Sequence, residues 1–191
     1  MKRSSGPNLS IALIHYPVTN KNGAIIASAV TNLDLHDMAR SAKTYGVRAF
    51  YAVTPLEDQK ALARKLVAHW VTGGGARYNP KRREAMELVT VRDNLQQVID
   101  EIEAVNGQRP KTVVTCARPR SGSVPYGDLR QMLKAGAPCL LLFGTAWGLA
   151  PDCVAQADII LDPVRGAGEY NHLSVRAATA IILDRLLGDF V

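Results

Sequence analysis

Long apolar runs and paired cysteines are both missing from this chain. No apolar run approaches the roughly 20 residues that a membrane-spanning helix requires, so the sequence predicts a soluble protein. Cys116, Cys139 and Cys153 show neither CxxC nor metal-ligand spacing, and we expect reduced core thiols in a cytoplasmic protein. The basic N-terminus is not followed by a small-residue cleavage site, so no export signal is predicted.

The common phosphate-binding and catalytic motifs are also missing. No GxGxxG follows the first apolar run and no GxxxxGK[ST] occurs, which disfavours a dinucleotide-binding domain and a P-loop NTPase. The serines form no GxSxG elbow, which disfavours an α/β-hydrolase. His15, His36, His69 and His172 show no HExxH or other metal-ligand spacing, so no metal site is predicted.

Acidic residues are fewer than basic ones, 17 against 23, which gives a net charge of +6. Clustered lysine and arginine gain affinity for anions by releasing counterions, so this excess favours a partner such as nucleic acid. The 191 residues fit a single domain spanning 1–191, long enough to bury roughly 70% of the surface that the unfolded chain exposes.

Short apolar runs alternate with helical stretches, which is typical of a mostly parallel sheet with helices on both faces. Strands are predicted near Leu9 to Ile14, Val47 to Val53, Glu87 to Val91, Thr112 to Cys116, Cys139 to Phe143 and Ala157 to Leu161. Helices are predicted near Asp34 to Tyr45, Glu57 to Trp70, Arg92 to Val105, Tyr126 to Lys134 and His172 to Leu187. The fold class is therefore α/β with a six-stranded sheet.

Two late strands end in glycine, proline and small polar residues. Leu140 to Phe143 runs into Gly144 and Gly148, and Ile159 to Leu161 runs into Asp162-Pro163. Such ends expose backbone groups to a ligand at the carboxyl edge of a parallel sheet. A neutral or zwitterionic ligand with an adenine ring suits this site, and S-adenosylmethionine is one such ligand.

Three stretches carry a family resemblance: Leu142 to Leu149 (LFGTAWGL), Leu161 to Gly166 (LDPVRG) and Tyr170 to Ala178 (YNHLSVRAA). They resemble the second and third motifs of the SPOUT superfamily of RNA methyltransferases, and the chain is most similar to its small bacterial branch. Ala39 to Val47 is similar to the first motif. The resemblance implies S-adenosylmethionine-dependent methyl transfer to a nucleotide of tRNA or rRNA. It also implies a C-terminal deep trefoil knot, which is an exception among protein folds, and a homodimer whose second subunit completes the active site.

The resemblance also implies roles for individual residues. Cofactor contacts are implied for Cys116, Phe143, Gly144, Thr145, Gly148, Leu161, Pro163, Asn171, His172, Leu173 and Ser174. Catalytic roles are implied for Arg40, Asn32, Tyr170 and Ser174. The 2′-O-methylating branch usually has asparagine six residues before the arginine, where this chain has Asp34. The acceptor atom, ribose oxygen or base nitrogen, therefore stays open.

The span from Gly73 to Arg83 combines three glycines with four cations and a tyrosine. It reads either as a flexible solvated loop before a short helix or as a mobile loop that contacts RNA. The predicted RNA surface comprises Arg77, Tyr78, Lys81, Arg82, Arg83, Arg118 and Arg120. We expect Trp147 to pack beneath its own loop, and we prefer tRNA to rRNA as the substrate.

Two further functions stay open. One is a knotted RNA-binding protein that binds S-adenosylmethionine but has lost transfer activity. The other is an α/β enzyme that acts on a small anionic metabolite.

Overall fold

The strands of this α/β fold alternate with its helices along the chain. The computed structural model describes residues 6–188, so the basic residues at positions 1–5 lie outside the described part. The strands are β1 (Leu9–Ile14), β2 (Val18–Thr19), β3 (Ile25–Ile26), β4 (Phe50–Val53), β5 (Val89–Arg92), β6 (Lys111–Thr115), β7 (Cys139–Gly144) and β8 (Ile159–Leu161). The helices are α1 (Asn32–Thr44), α2 (Glu57–Val71), α3 (Gly74–Tyr78), α4 (Pro80–Met86), α5 (Leu95–Asn106), α6 (Tyr126–Lys134), α7 (Pro151–Ala155) and α8 (Val175–Leu187).

The larger sheet has six parallel strands in the order β5-β4-β1-β7-β6-β8, which confirms the predicted parallel sheet. At the end of β1, Ile14 lies opposite Val53 of β4 on one side and Gly144 of β7 on the other. The chain leaves β1 toward β4 but leaves β7 toward β8, so the strand order reverses between these two neighbours. Open α/β sheets bind ligands beyond the carboxyl ends of the strands at such a point.

Both faces of the sheet are covered by helices, as predicted. In β1 every residue is buried, and Leu9, Ile11 and Leu13 enter one apolar core with α1, α2, α4, α6 and α8. Ala12 and Ile14 enter a second core with α5 and α7 on the opposite face. Burial on both faces explains why the central strands are continuous apolar runs rather than alternating ones.

Two predicted helix starts were several residues too early. Arg92 still pairs with Val53 in the sheet, and α5 begins after Asn94, whose side chain accepts a hydrogen bond from the Gln97 amide at 3.0 Å. Similarly, α8 begins at Val175 rather than His172. In both places a capping side chain fixes the first turn, and this local chemistry overrides the apolar spacing.

In the glycine-rich span the predicted loop was wrong, because Gly74–Tyr78 form α3, while the short helix expected after the loop is present as α4. Gly75 lies against the Trp70 ring so closely that a Cβ there would be 2.6 Å from Trp70 Cε3. Asn79 then caps α4 by accepting from the Arg82 amide at 3.0 Å, and Pro80 occupies the first turn. Gly73 and Gly75 therefore serve close packing in this span, whereas a Cβ at Gly74 would meet nothing within 4 Å.

The predicted trefoil knot stays a prediction. The strand order places β7 between β1 and β6 and carries β8 to the outer side of β6. From there the chain returns to form α8, which packs against α1 and α6. Among residues 6–188, no helix is long and apolar enough to cross a membrane.

Candidate active site

A cleft of about 850 Å³ opens beyond the carboxyl ends of β6 and β7. Its walls come from the β2–β3 turn, from the segments that follow β6 and β7, and from residues 171–178. Small-molecule sites typically measure roughly 300–1,000 Å³, so a ligand of cofactor size fits. The cleft lies beside the reversal of strand order between β1 and β7.

The loop after β7 approaches itself too closely for any side chain at Gly144. A Cβ at Gly144 would lie 2.6 Å from the Leu149 nitrogen and 3.0 Å from the Gly148 carbonyl carbon. Ala146 adopts a left-handed backbone with φ of 51°, which costs a non-glycine residue roughly 1–2 kcal/mol. The loop therefore holds a strained and tightly closed backbone at the floor of the cleft.

The β2–β3 hairpin fastens this strained loop. The Trp147 amide donates to the Thr19 carbonyl at 3.0 Å, and the Thr19 amide donates to the Gly148 carbonyl at 2.9 Å. Val18 forms an isolated bridge with Leu149. No sequence pattern predicted β2 or β3, because each has only two residues in the structure.

A chain of hydroxyl groups joins His15 to the same loop. Thr145 Oγ1 donates to the Ile14 carbonyl at 3.0 Å and lies 2.5 Å from Ser28 Oγ, which is 3.0 Å from His15 Nδ1. Because the Thr145 hydroxyl proton is already used, Ser28 donates to Thr145 and His15 Nδ1 donates to Ser28. The tautomer thus leaves His15 Nε2 without a proton, and this nitrogen is buried with no hydrogen-bond partner in the described part of the chain.

Burial lowers the pKa of His15 to about 4, although the nearby charge of Asp34 opposes this shift. In the unfolded chain the histidine pKa is about 6.5. Between pH 6.5 and pH 4 the histidine is protonated in the unfolded state but stays neutral in the folded state. The free energy of unfolding therefore falls as the pH drops from 6.5 to 4. The difference corresponds to about 3 kcal/mol at most, from about 1.36 kcal/mol per pH unit.

We therefore expect His15→Asn, which retains a donor to Ser28, to weaken the dependence of stability on pH. The measurement is the denaturant midpoint at pH 7.5 and pH 5, compared with His172→Asn, which replaces an exposed histidine. The wild-type chain and the His172 variant should lose more stability at pH 5 than the His15 variant does. If all three proteins lose the same stability between pH 7.5 and pH 5, the proton taken up on unfolding does not belong to His15.

The segment before α8 forms the wall of the cleft opposite the β2–β3 turn. Asn171 Nδ2 donates to the Ala117 carbonyl at 2.7 Å, which joins this wall to the loop after β6. Ser174 caps α8 by accepting from the Ala177 amide at 3.3 Å. Between these two bonds, His172 and Leu173 line the cleft.

Asp34 and Arg176 form an ion pair at the edge of the cleft. Arg176 Nη1 lies 3.1 Å from Asp34 Oδ1, and the Thr31 hydroxyl donates to Asp34 Oδ2 at 2.6 Å. The Asp34 side chain is 12% exposed, so it is held almost entirely within the protein. Arg176 Nε also lies 3.6 Å from Asp37 Oδ2. Sequence reasoning treated Asp34 only as a departure from the family and missed Arg176.

Most of the cofactor-contact residues implied by the resemblance line the cleft. They are Cys116, Phe143, Gly144, Thr145, Gly148, Asn171, His172, Leu173 and Ser174. Leu161 and Pro163 are instead buried behind it, and Val164 lines the cleft in their place. Among the described residues that line the cleft, Asn32, Arg40 and Tyr170 are not found. Arg40 lies on α1 with its side chain 61% exposed, 3.7 Å from Asp37.

The predicted RNA surface divides into two separate regions. Arg118 and Arg120 line the cleft, and Lys21 of the β2–β3 turn joins them as a cation that sequence reasoning missed. The cations of α3 and α4 lie elsewhere, where Arg82 stacks over Trp70 at 4.6 Å. Lys81 and Arg83 pair with acidic residues of the same segment.

The expectation that Trp147 packs beneath its loop was wrong, since its side chain is 67% exposed at the cleft. The left-handed Ala146 and the backbone bonds to Thr19 turn the indole outward. An exposed ring was not foreseeable from a glycine-flanked position, because the sequence does not report these dihedral angles.

The cleft suits the cofactor that the resemblance implies. S-adenosylmethionine carries an adenine ring, a carboxylate and two positive centres. Apolar side chains such as Phe143 and Leu149 offer surface to the ring, and cations such as Arg118 offer a partner to its carboxylate. The missing side chain at Gly144 lets the loop after β7 close on itself beside the cleft.

Comparisons with known proteins agree with this geometry. A model of the family described as SAM-dependent RNA methyltransferase matches residues 8–188. A tRNA (guanine-N(1)-)-methyltransferase of Oleidesulfovibrio alaskensis is 47% identical over 184 residues, which are 96% of this chain and 43% of that protein. An uncharacterized protein of Aquifex aeolicus is 43% identical over 180 residues, covering 94% of this chain and 88% of its own length.

Solved structures show the same fold. The crystal structure of the Aquifex aeolicus TrmH/SpoU tRNA modifying enzyme superposes with a TM-score of 0.55 at 19% identity, over 94% of this chain and 74% of that one. The chain spans less than half the length of the Oleidesulfovibrio relative, so the activity of that whole protein does not transfer directly. The family match covers nearly all of the described residues, and the chain therefore belongs to the family of S-adenosylmethionine-dependent RNA methyltransferases.

Proposed function

We propose that the chain transfers a methyl group from S-adenosylmethionine to a nucleotide of tRNA, with the cleft beyond β6 and β7 as the active site. The observation that carries this proposal is one cleft lined both by the closed loop at Gly144 and by the cations Arg118 and Arg120. The backbone groups of a closed loop can bind a small cofactor, and cations that line the cleft can bind the phosphates of an RNA acceptor. We place this reaction in the cytoplasm with its RNA substrate.

The residues of the cleft chiefly position the reactants. Bound S-adenosylmethionine supplies a methyl group on a sulfonium, a leaving group that is already activated. Orientation contributes roughly 7–11 kcal/mol to such reactions in favourable cases. The braced loop at Gly144 and the Asn171 bond to Ala117 provide rigid walls for this purpose.

We assign the removal of the acceptor proton to Asp34. It is the one carboxylate among the described residues that line the cleft, and an acceptor that gains a methyl group must lose a proton. Arg176 and Thr31 fix the carboxylate in place. Such assistance typically contributes about 10²–10⁴-fold to the rate.

Arg40 lies outside the cleft of its own chain, so its proposed catalytic role requires a second copy of the chain. We propose a homodimer in which Arg40 reaches the cleft of the partner subunit. Its exposed side chain and weak 3.7 Å contact with Asp37 leave the guanidinium accessible. The molar mass in solution tests this assembly.

The choice of tRNA follows from the relatives. Two curated relatives carry the name tRNA (guanine-N(1)-)-methyltransferase, and the chain spans 43% of each. Because the shared region is only part of those proteins, the acceptor nucleotide and atom are not assigned by their names. Product analysis must identify them.

The test combines cofactor binding with methyl transfer. Calorimetry should detect binding of S-adenosylmethionine, and tritium from its methyl group should enter a bulk tRNA pool whose nucleosides are then separated. A chain that gives no heat with either S-adenosylmethionine or S-adenosylhomocysteine would contradict the proposal. Binding of both cofactor and tRNA without transfer to any RNA would instead support an inactive RNA-binding protein.

Replacing both Arg118 and Arg120 by alanine should weaken tRNA binding and flatten its salt dependence. Both side chains are exposed at the cleft, and each phosphate contact contributes roughly one unit to the slope of log K against log salt. We expect the slope to fall by about two units. Lys81→Ala with Arg83→Ala is the matched control, since these two cations lie outside the cleft. An equal loss of tRNA affinity in both double variants would mean that the tRNA does not bind at the cleft.

A further inference from the structure

Two tryptophans in this chain have opposite surroundings. Trp70 is enclosed by the rings of His36 and His69 at 5.3 and 5.2 Å and by the Arg82 guanidinium at 4.6 Å. Trp147 is 67% exposed. Single exposed rings are common on protein surfaces, but Trp147 lies in a cleft that is also lined by cations, where a ligand can cover it.

The backbone around Trp147 holds the ring outward. Ala146 adopts φ of 51°, and Gly148 adopts φ of 109°. The Trp147 amide and the Gly148 carbonyl are both hydrogen-bonded to Thr19, at 3.0 and 2.9 Å. These bonds oppose the small backbone rotation that would fold the indole beneath the loop, so the exposure is built into the site.

The charges around the ring favour a nucleic acid over an apolar partner. Lys21, Arg118 and Arg120 line the same cleft as Trp147, while Asp34 at the cleft is already paired with Arg176. Single-stranded nucleic acids are bound by this combination, in which cations contact phosphates and aromatic rings stack on bases.

We propose that the indole of Trp147 is a stacking platform for an unpaired base of the RNA substrate. This inference rests on the proposed function and adds the nucleotide-binding element to the site. In a duplex, stacking between neighbouring base pairs buries the faces that the indole would contact, so the platform selects unpaired over paired nucleotides. Every base has a π-face, and the platform therefore tolerates different sequences.

The experiment measures affinity for a fluorescently labelled 12-nucleotide oligouridylate and for an RNA duplex of the same length, by anisotropy at fixed salt. Trp147→Ala should weaken binding of the single strand about 5- to 150-fold, which corresponds to the roughly 1–3 kcal/mol of a base–aromatic stack. Trp147→Phe should recover most of the affinity. The slope of log affinity against log salt concentration should not change, because the substitution removes no phosphate contact.

Tyr78→Ala is the matched control, since this ring is 86% exposed and lies on α3, outside the cleft. Its single-strand affinity should equal that of the wild-type chain. Calorimetry with S-adenosylmethionine should give the same affinity for Trp147→Ala as for the wild-type chain.

Three results would overturn the inference. The first is unchanged single-strand affinity in Trp147→Ala, or no oligonucleotide binding by the wild-type chain. The second is an equal loss of S-adenosylmethionine affinity, which would make the ring a cover for the cofactor. The third is a shift of the oligomeric state, which would make it part of a contact between copies. The proposed function is decided separately, by methyl transfer to tRNA in the wild-type chain.

Discussion

Replacing Gly144 by alanine should weaken S-adenosylmethionine binding on the order of 10²-fold while β7 and the rest of the sheet stay folded. The added Cβ would lie 2.6 Å from the Leu149 nitrogen, so the loop must open to accept it. Opening the loop moves Thr145 away from Ser28 and breaks the hydroxyl chain to His15. A displacement on the order of 1 Å costs roughly 10²-fold in favourable geometries, and we expect about that loss of cofactor affinity.

Calorimetry measures the affinity, and circular dichroism with a denaturant titration checks the fold. Gly168→Ala is the matched control, because a Cβ at that position meets nothing within 4 Å. Gly168→Ala should bind the cofactor like the wild-type chain. Unchanged affinity in a folded Gly144→Ala protein would contradict the placement of the site.

Replacing Asp34 by asparagine should lower kcat about 10²–10⁴-fold with little change in cofactor affinity. Asparagine keeps the shape of the side chain and an oxygen that accepts from the Thr31 hydroxyl, but it removes the basic carboxylate. The Arg176 guanidinium then loses its partner at 3.1 Å. Single-turnover rates across a range of pH separate proton removal from a structural role, because only the former changes the shape of the profile.

Asp37→Asn provides the comparison for this prediction. Asp37 lies one turn further along α1 and also contacts Arg176, at 3.6 Å, but it is not among the described residues that line the cleft. Its variant should retain wild-type kcat within about threefold, as expected for a partly exposed ion pair. Activity of Asp34→Asn within about tenfold of wild type would exclude Asp34 as the proton acceptor.

The sheet was predictable because its strands are buried on both faces. The predicted bounds of β1 matched the observed Leu9–Ile14, since a continuous apolar run has no other place in such a fold. Helix α6 was also predicted with its observed bounds, Tyr126–Lys134. The short β2–β3 hairpin could not be predicted, because two-residue strands carry no periodicity.

The residues that line the cleft were predictable for a different reason. Gly144, Gly148 and Asn171 lie in short motifs whose neighbours in sequence are also neighbours in space. Arg176 and Asp34 are 142 positions apart, so their ion pair depends on the tertiary packing of α8 against α1. The same limitation applied to Trp147, whose exposure is decided by a hydrogen bond to Thr19.

The contacts that close the cleft join the two ends of the described chain. Ile14 meets Thr145 across 131 positions, and Asp34 meets Arg176 across 142. Closing such long loops has a large entropic cost, which a ligand that binds only the closed arrangement helps to offset. A ligand bound in this cleft would therefore stabilise the contacts between the first and last quarters of the fold, and its binding energy would raise the stability of the whole chain rather than of one loop.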